Sequence, residues 1–190
     1  RDFPEDINLN FDIYPSDVFV FPLYTFLPDW AKTGGWDVMY ASLEDDWKRQ
    51  KIQKDIPEIN PDDFVLAQAP GNEFLIGRSL KDLCVVYNIY NYKEALIKLM
   101  LVTRLRGLVF YKAINYDVVR NELLSPRSFI STNSASYPYS GKMLKTERAV
   151  SSFPKFLDAI TQAKTMPLER AIKKITIEPA KKLDIENRGV

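Results

Sequence analysis

Apolar residues recur at helical spacing in two adjacent stretches near the middle of the chain. In the first stretch, the i, i+3, i+4, i+7 pattern of a buried helical face is formed by Leu80, Leu83, Cys84 and Tyr87. Ser79 and Asp82 open this stretch as a capping box. A second apolar stripe predicts a helix over residues 92–106, followed by Gly107. The two stretches predict a helical hairpin, and Cys84 is interpreted as a small core residue.

The first 33 residues have a different pattern, rich in proline and aromatic side chains. A long helix is excluded by Pro4, Pro15, Pro22 and Pro28, whereas Val18–Phe21 has the composition of a strand. Residues 1–33 are therefore predicted to form an extended arm with one short edge strand. Its anchors are the apolar side chains Phe3, Phe11, Ile13, Tyr14, Phe19 and Phe21. Two alternatives stay open: the arm lies over its own domain, or it docks on a neighbouring subunit.

Residues 34–190 are predicted to form a single domain of helices and short strands. Ser42 and Asp45 form a second capping-box pattern at the start of a predicted helix. The elements expected besides the hairpin are helices over 42–54, 117–124, near 143–150 and from Pro154, and strands over 64–67, 108–114, 128–132, 172–177 and 183–185. They predict an α+β fold, with a helical hairpin and the extended N-terminal arm packed on a small mixed sheet.

The composition excludes more classes of catalytic and metal site than any single motif does. The 190 residues contain no histidine and one cysteine, so the Ser-His-Asp and Cys-His classes of catalysis have no base and a zinc site is not expected. With 46% hydrophobic and 27% charged residues, the chain has the balance of a folded globular protein. No stretch has the length of a membrane-spanning helix. We expect a soluble protein, in the cytoplasm or within a virion or other complex.

Charge is distributed unevenly, although the net charge is only +1. Acidic residues dominate residues 1–63 and basic residues dominate the remainder, which favours two complementary layers over two separate partner surfaces. Lys173-Lys174 and Lys181-Lys182 flank a predicted hairpin and form a candidate basic patch for nucleic acid. A solvated lysine face is the simpler interpretation, so a nucleic-acid partner is not favoured.

Three segments between residues 80 and 190, taken in order, resemble the exoenzyme-type mono-ADP-ribosyltransferase domains. They are Val109-Phe110-Tyr111-Lys112-Ala113, Phe129-Ile130-Ser131-Thr132-Asn133-Ser134, and residues 175–186. The resemblance implies NAD as cofactor, with Lys112 replacing the family's NAD-holding arginine and with Ser131 and Thr132 beside the nicotinamide. Lysine lacks the planar fork of arginine, and Glu178 and Glu186 do not form the family's Glu-x-Glu pair.

Two hypotheses on function follow. The first is a non-catalytic binding or assembly module of a larger protein or complex, such as a viral or phage structural protein. It needs no cofactor and no membrane, and it binds a protein partner or neighbouring subunit through the N-terminal arm. The second is a degenerate or truncated ADP-ribosyltransferase-like domain that binds NAD. Lys112, Ser131 and Thr132 are candidate catalytic residues under the second hypothesis, and the first assigns none.

Overall fold

A computed structural model of the chain describes residues 7–133 and 143–189, and these residues form two compact units. Within the described ranges, unit 1 consists of residues 7–17, 113–133 and 146–189, and unit 2 consists of residues 18–112 and 143–145. Residues 18–112 of unit 2 are therefore inserted into the chain of unit 1. The predicted division into an arm over residues 1–33 and a domain over residues 34–190 stays a prediction.

The predicted α+β fold class is confirmed. The strands are β1 (Phe11–Ile13), β2 (Val18–Pro22), β3 (Phe64–Gln68), β4 (Leu108–Lys112) and β5 (Ser128–Ile130). The α-helices are α1 (Gly35–Glu44), α2 (Asp46–Asp55), α3 (Leu80–Tyr87), α4 (Tyr92–Val102), α5 (Tyr116–Leu124), α6 (Glu147–Val150), α7 (Ser152–Ala163), α8 (Leu168–Ile175) and α9 (Ile177–Lys182). Short 3-10 helices lie at Leu23–Phe26, Asp29–Ala31, Pro61–Asp63 and Glu73–Leu75.

Unit 2 contains a three-stranded antiparallel sheet with β4 between β2 and β3. The predicted hairpin is present as α3 and α4, and the capping box at Ser79 and Asp82 is complete. Helix α4 ends at Val102 because Arg104 and Leu105 turn into the left-handed region, with φ of 49° and 63°. This turn leaves Leu105 fully buried in the same core as Cys84.

The predicted helix over residues 42–54 is wrong in its start. Two helices, α1 and α2, occupy this region, and Ser42 lies inside α1 with its hydroxyl donating to the Val38 carbonyl at 2.9 Å. Asp45 is the residue that caps α2, because its carboxylate accepts from the Lys48 amide at 2.8 Å. The sequence pattern therefore placed the N-terminal cap at Ser42, three positions before Asp45, the residue that caps α2.

Unit 1 contains a parallel two-stranded sheet of β1 and β5, with α5, α7 and α8 in contact with β5. The strands predicted over residues 172–177 and 183–185 are wrong. Residues 168–175 form helix α8, in which the apolar positions are Leu168, Ala171, Ile172 and Ile175. These follow i, i+3, i+4, i+7, so the helical period overrides the strand preference of isoleucine.

The N-terminal segment takes part in the chain's own sheets. Its strand β1 pairs with β5 in unit 1, and β2 pairs with β4 in unit 2. The 3-10 helix after β2 places Leu23 and Phe26 in the core of unit 2. The single mixed sheet expected from the sequence is therefore two sheets, one parallel and one antiparallel. Phe3 lies outside the described residues, and docking of the segment on a neighbouring subunit stays a prediction.

Gly107, between α4 and β4, lies against the core of unit 2. A Cβ at this position would lie 2.4 Å from Leu23 Cδ1 and 3.1 Å from the Gln68 carbonyl oxygen. Because Leu23 is fully buried, Gly107→Ala should lower the free energy of unfolding by about 1–3 kcal/mol through overpacking. Urea denaturation of the single and double variants with Leu23→Ala provides the control. If the two losses simply add, the clash with Leu23 is not the cause.

Candidate functional site

The carboxyl ends of β1 and β5 meet at one edge of the parallel sheet. The Phe11 amide donates to the Arg127 carbonyl at 3.1 Å, and the Ser131 amide donates to the Ile13 carbonyl at 3.0 Å. This pairing places Tyr14, which follows β1, at the same edge as Ser131 and Thr132, which follow β5. The carboxyl ends of parallel strands are where many folds bind ligands. We call this edge, formed by Tyr14, Ser131, Thr132 and Arg148, the carboxyl edge.

Arg148 of α6 completes the carboxyl edge. Its guanidinium carbon lies 5.1 Å from the centre of the Tyr14 ring, within the range of a cation–π contact. Its carbonyl oxygen accepts hydrogen bonds from the hydroxyls of Thr132 at 2.7 Å and Ser152 at 2.8 Å. These bonds fix the short helix α6 to the end of β5 and to the start of α7. The contact with Tyr14 orders the guanidinium, a planar group whose geometry suits a carboxylate.

Two buried hydroxyls lie in this part of unit 1, and one of them belongs to the carboxyl edge. The hydroxyl oxygens of Ser131 and Thr146 are buried and have no hydrogen-bond partner among the residues described here. A buried hydroxyl without a partner costs about 1–3 kcal/mol, so such groups commonly serve a ligand or a bound water. Ser131 was predicted as a site residue, whereas Thr146 was not.

The structure divides the residues predicted under the transferase hypothesis. Ser131 and Thr132 lie together at the carboxyl edge, in unit 1. Lys112 is the last residue of β4 and belongs to unit 2, where it pairs in register with Val18 of β2. Ser134 lies outside the described residues. The three candidates therefore do not form one group within either unit.

The basic pairs near the end of the chain do not form a single patch. Lys173 forms an ion pair with Glu169 at 2.6 Å, one turn away on α8. Lys174 is only 1% exposed, so it cannot contribute to a surface. Lys181 and Lys182 line a cleft of about 370 Å³ with Arg170 and Glu178, which form an ion pair. Binding of nucleic acid to these residues stays a prediction.

A second cleft, of about 440 Å³, lies in unit 2. Its walls are apolar or aromatic and include Ile59, Leu80, Tyr90 and Tyr92. The charged side chains at this cleft, Glu58 and Lys93, form an ion pair at 2.7 Å, and Asn91 caps α4. The carboxyl edge is the better candidate for ligand binding, because the buried hydroxyl of Ser131 there has no hydrogen-bond partner among the described residues.

Lys174 forms a link between α8 and the end of α5. Its Nζ donates to the carbonyl of Ser125, the C-terminal capping residue of α5, at 2.5 Å. A positive charge is favourable at a helix C-terminus, yet burial penalises the charged amine. Burial lowers the pKa of Lys174 to about 8, since the nearby Glu178 carboxylate opposes this shift only in part and Arg170 adds to it.

No family model and no curated protein matches this chain. Its fold is similar to that of the N-acyl-D-glutamate deacylase from Bordetella bronchiseptica, solved with zinc and a phosphonate inhibitor that mimics the tetrahedral intermediate of the reaction. The TM-score is 0.63 and the sequence identity is 18% over 98% of this chain and 31% of the deacylase chain. The likeness is one of fold, and this chain spans about a third of the deacylase.

The expected resemblance to ADP-ribosyltransferases is wrong. The similar solved structure is a deacylase, and the third segment of the resemblance, residues 175–186, contains helix α9 where a strand pair was expected. The Ile-Thr-Ile run that carried this segment spans the junction between α8 and α9. NAD was implied by that resemblance alone, so it loses its support.

The residues of this chain do not fit the zinc seen in the deacylase. The sequence has no histidine, and no group of three or more cysteine, aspartate or glutamate side chains is placed to hold a metal within residues 7–133 and 143–189. Cys84 is buried in the core of unit 2, where burial raises the pKa of its thiol. Zinc binding needs a deprotonated thiolate and further nitrogen or oxygen ligands.

None of the helices among the described residues is long and apolar enough to cross a membrane. The longest, α7, has 12 residues, whereas a span needs about 20.

Lys174→Met should change how stability depends on pH. The folded pKa of about 8 lies below the ordinary 10.5, so between these values the unfolded chain binds more protons than the folded chain. Wild-type stability should therefore rise by at most about 3 kcal/mol as the pH increases from 8 to 10.5. The variant should lack this rise. Urea denaturation at several pH values tests this, and parallel curves for the two proteins would contradict it.

Proposed function

We propose that this chain is a non-catalytic part of a longer protein of the deacylase type, in which it binds the carboxylate of the substrate. The observation that carries the proposal is the fold likeness, which covers 98% of this chain but 31% of the deacylase. This proposal makes the first hypothesis from the sequence, a non-catalytic module of a larger protein, more specific, because it names the type of larger protein. Zinc chemistry is assigned to residues outside this chain, because the side chains here do not fit that metal.

The carboxyl edge supports a role in binding an anionic substrate. The substrate in the name of the deacylase, N-acyl-D-glutamate, carries carboxylates. In this chain, Arg148 lies against the Tyr14 ring, and Thr132 holds the backbone of Arg148 in place. An arginine whose side chain is ordered by an aromatic ring loses less entropy on binding a carboxylate than a freely moving lysine.

The proposal leaves the N-terminal segment in a structural role. Strands β1 and β2 pair within the chain, and β1 supplies one side of the carboxyl edge. Docking of a protein partner through residues 1–33 is therefore a separate proposal, and the pairing of these strands does not favour it.

The proposal predicts weak binding of N-acetyl-D-glutamate to the 190-residue chain, with Arg148 as its main contact. Arg148→Met should weaken binding at least about tenfold, since a charged hydrogen bond is worth about 1.5–3 kcal/mol. Titration calorimetry or chemical-shift perturbation measures the affinity. Arg120→Met is the matched control, because Arg120 is an exposed arginine of the same unit on α5.

Two further measurements distinguish the role from simple charge attraction. The uncharged diamide of the same ligand should bind more weakly than the dicarboxylate, and the 190-residue chain should hydrolyse neither, with or without added zinc. Equal affinities for Arg148→Met and Arg120→Met would contradict the binding role. Stoichiometric zinc after dialysis, with turnover of the acyl amino acid, would contradict the non-catalytic role.

A further inference from the structure

A cleft in unit 1 lies at the end of the β1–β5 sheet opposite the carboxyl edge. Its volume is about 370 Å³. It is lined by Asn10, which directly precedes β1, and by Pro126, two residues before β5, so it lies at the amino ends of the two strands. We call it the amino-end cleft; its other lining residues are Phe129 of β5, Arg170 of α8, and Glu178, Lys181 and Lys182 of α9.

The amino-end cleft has an excess of positive charge. Three cationic side chains line it against the single carboxylate of Glu178, which gives the lining a net charge of +2. The whole chain has a net charge of only +1, so the excess is local. A cleft lined mainly by one sign of charge raises the local concentration of ligands of the opposite sign. The charge of this cleft therefore favours an anionic ligand.

Many hydrogen-bond donors of these cations are unused. Glu178 accepts from Nη1 of Arg170, and the other N–H groups of this guanidinium have no partner among the described residues. Lys182 donates to the backbone carbonyl of Asn8 at 3.2 Å and to the side-chain oxygen of the same residue, which leaves at least one ammonium hydrogen. The ammonium of Lys181 is exposed and forms no hydrogen bond or ion pair in the described part of the chain.

Phe129 adds to the cleft an aromatic surface that the core does not use. Its neighbours on β5, Ser128 and Ile130, are buried, and side chains alternate between the two faces of a strand, so the Phe129 ring lies on the other face. This ring is half-buried and lines the cleft with Pro126, whereas Asp12, its partner in register on β1, is not part of the lining. An aromatic ring beside cations with free donors suits a ligand that joins an aromatic group to an anion.

We propose that the amino-end cleft binds a small phosphate monoester with an aromatic organic group, its phosphate on the three cations and its ring against Phe129. Near neutral pH a phosphate monoester carries a charge of about −1.5 to −2 and three acceptor oxygens, which match the net charge and the three cations. A carboxylate has one charge and two oxygens. The volume lies within the range of about 300–1,000 Å³ that is usual for small-molecule sites. This site shares no residue with the carboxyl edge, so the inference does not rest on the proposed function.

A nucleic-acid strand is a poorer ligand for this cleft. Binding to a strand needs a basic stripe that follows several phosphates. The cations of the amino-end cleft do not continue along α8, because Lys173 is paired with Glu169 and Lys174 is buried. Positive charge that is confined to one cleft favours a small ligand.

Titration calorimetry or chemical-shift perturbation of the 190-residue chain tests the proposal with three probes. Phenyl phosphate should bind at least about threefold more tightly than inorganic phosphate, because its ring packs on Phe129. Phenol should show no saturable binding at the same concentrations, because it lacks the anion. Equal affinities for phenyl phosphate and inorganic phosphate, or no binding of phenyl phosphate, would overturn the inference.

Lys181→Met and Lys173→Met form a matched pair. Each variant removes one exposed lysine near the end of the chain, but only Lys181 lines the cleft. Lys181→Met should weaken the binding of phenyl phosphate about threefold to fivefold, as expected for a partly exposed ion pair, and Lys173→Met should leave it unchanged. Equal losses in the two variants would mean attraction by overall charge and would overturn the inference.

Phe129→Leu tests the aromatic part of the proposal. Leucine keeps an apolar side chain in β5 but removes the ring. The variant should bind phenyl phosphate about as weakly as inorganic phosphate, while its affinity for inorganic phosphate stays that of the wild-type chain. A loss of the same size for both probes, or no loss for either, would contradict contact between the two rings.

Two competing explanations have their own outcomes. Arg148→Met should leave the binding of phenyl phosphate unchanged, because Arg148 belongs to the carboxyl edge; a loss in this variant would mean that the probe binds there and would overturn the inference. A single-stranded oligonucleotide should compete poorly with phenyl phosphate. Affinity for oligonucleotides that rises steeply with their length would overturn the inference in favour of a nucleic-acid surface.

Discussion

The pairing of β1 with β5 is the interaction on which the candidate site depends. It joins segments more than a hundred residues apart and brings Tyr14 to the end of β5. Closing so long a loop costs entropy, yet residues 18–112 form most of a unit with its own core. The first and last residues of this insertion, Val18 and Lys112, pair in register, and the Ala113 amide donates to the Asp17 carbonyl at 3.2 Å. The effective loop between β1 and β5 is therefore much shorter than the sequence separation.

Local patterns predicted the elements whose signals are local. The α3–α4 hairpin and the Ser79 cap were correct because helical period and capping box are both encoded within a few residues. The region after residue 168 was wrong because isoleucine favours strands, while the spacing of Leu168, Ala171, Ile172 and Ile175 favours a helix. Where propensity and period disagree, the period decides, because burial of one face contributes more than intrinsic preference.

The site was less accessible to sequence reasoning than the fold. Ser131 and Thr132 were identified, but through a resemblance that the deacylase likeness overturns. Arg148 gave no local signal, since its meeting with Tyr14 depends on the parallel pairing and on the Thr132 bond to its carbonyl. The sequence feature that indicates this site is Tyr14-Pro15, because a proline soon after a short strand marks the end of that strand. The missing histidine, by contrast, can be read directly from the sequence, and it removes the base of the Ser-His-Asp and Cys-His classes of catalysis.

The adjacent ends of the inserted residues have a consequence for how the chain can vary. Residues 17 and 113 are joined by a hydrogen bond, so the chain segment between them begins and ends at neighbouring positions of unit 1. An insertion attached in this manner can lengthen, shrink or be exchanged without altering the path of β1 or β5. Residues 18–112 and unit 1 can thus change in sequence at different rates.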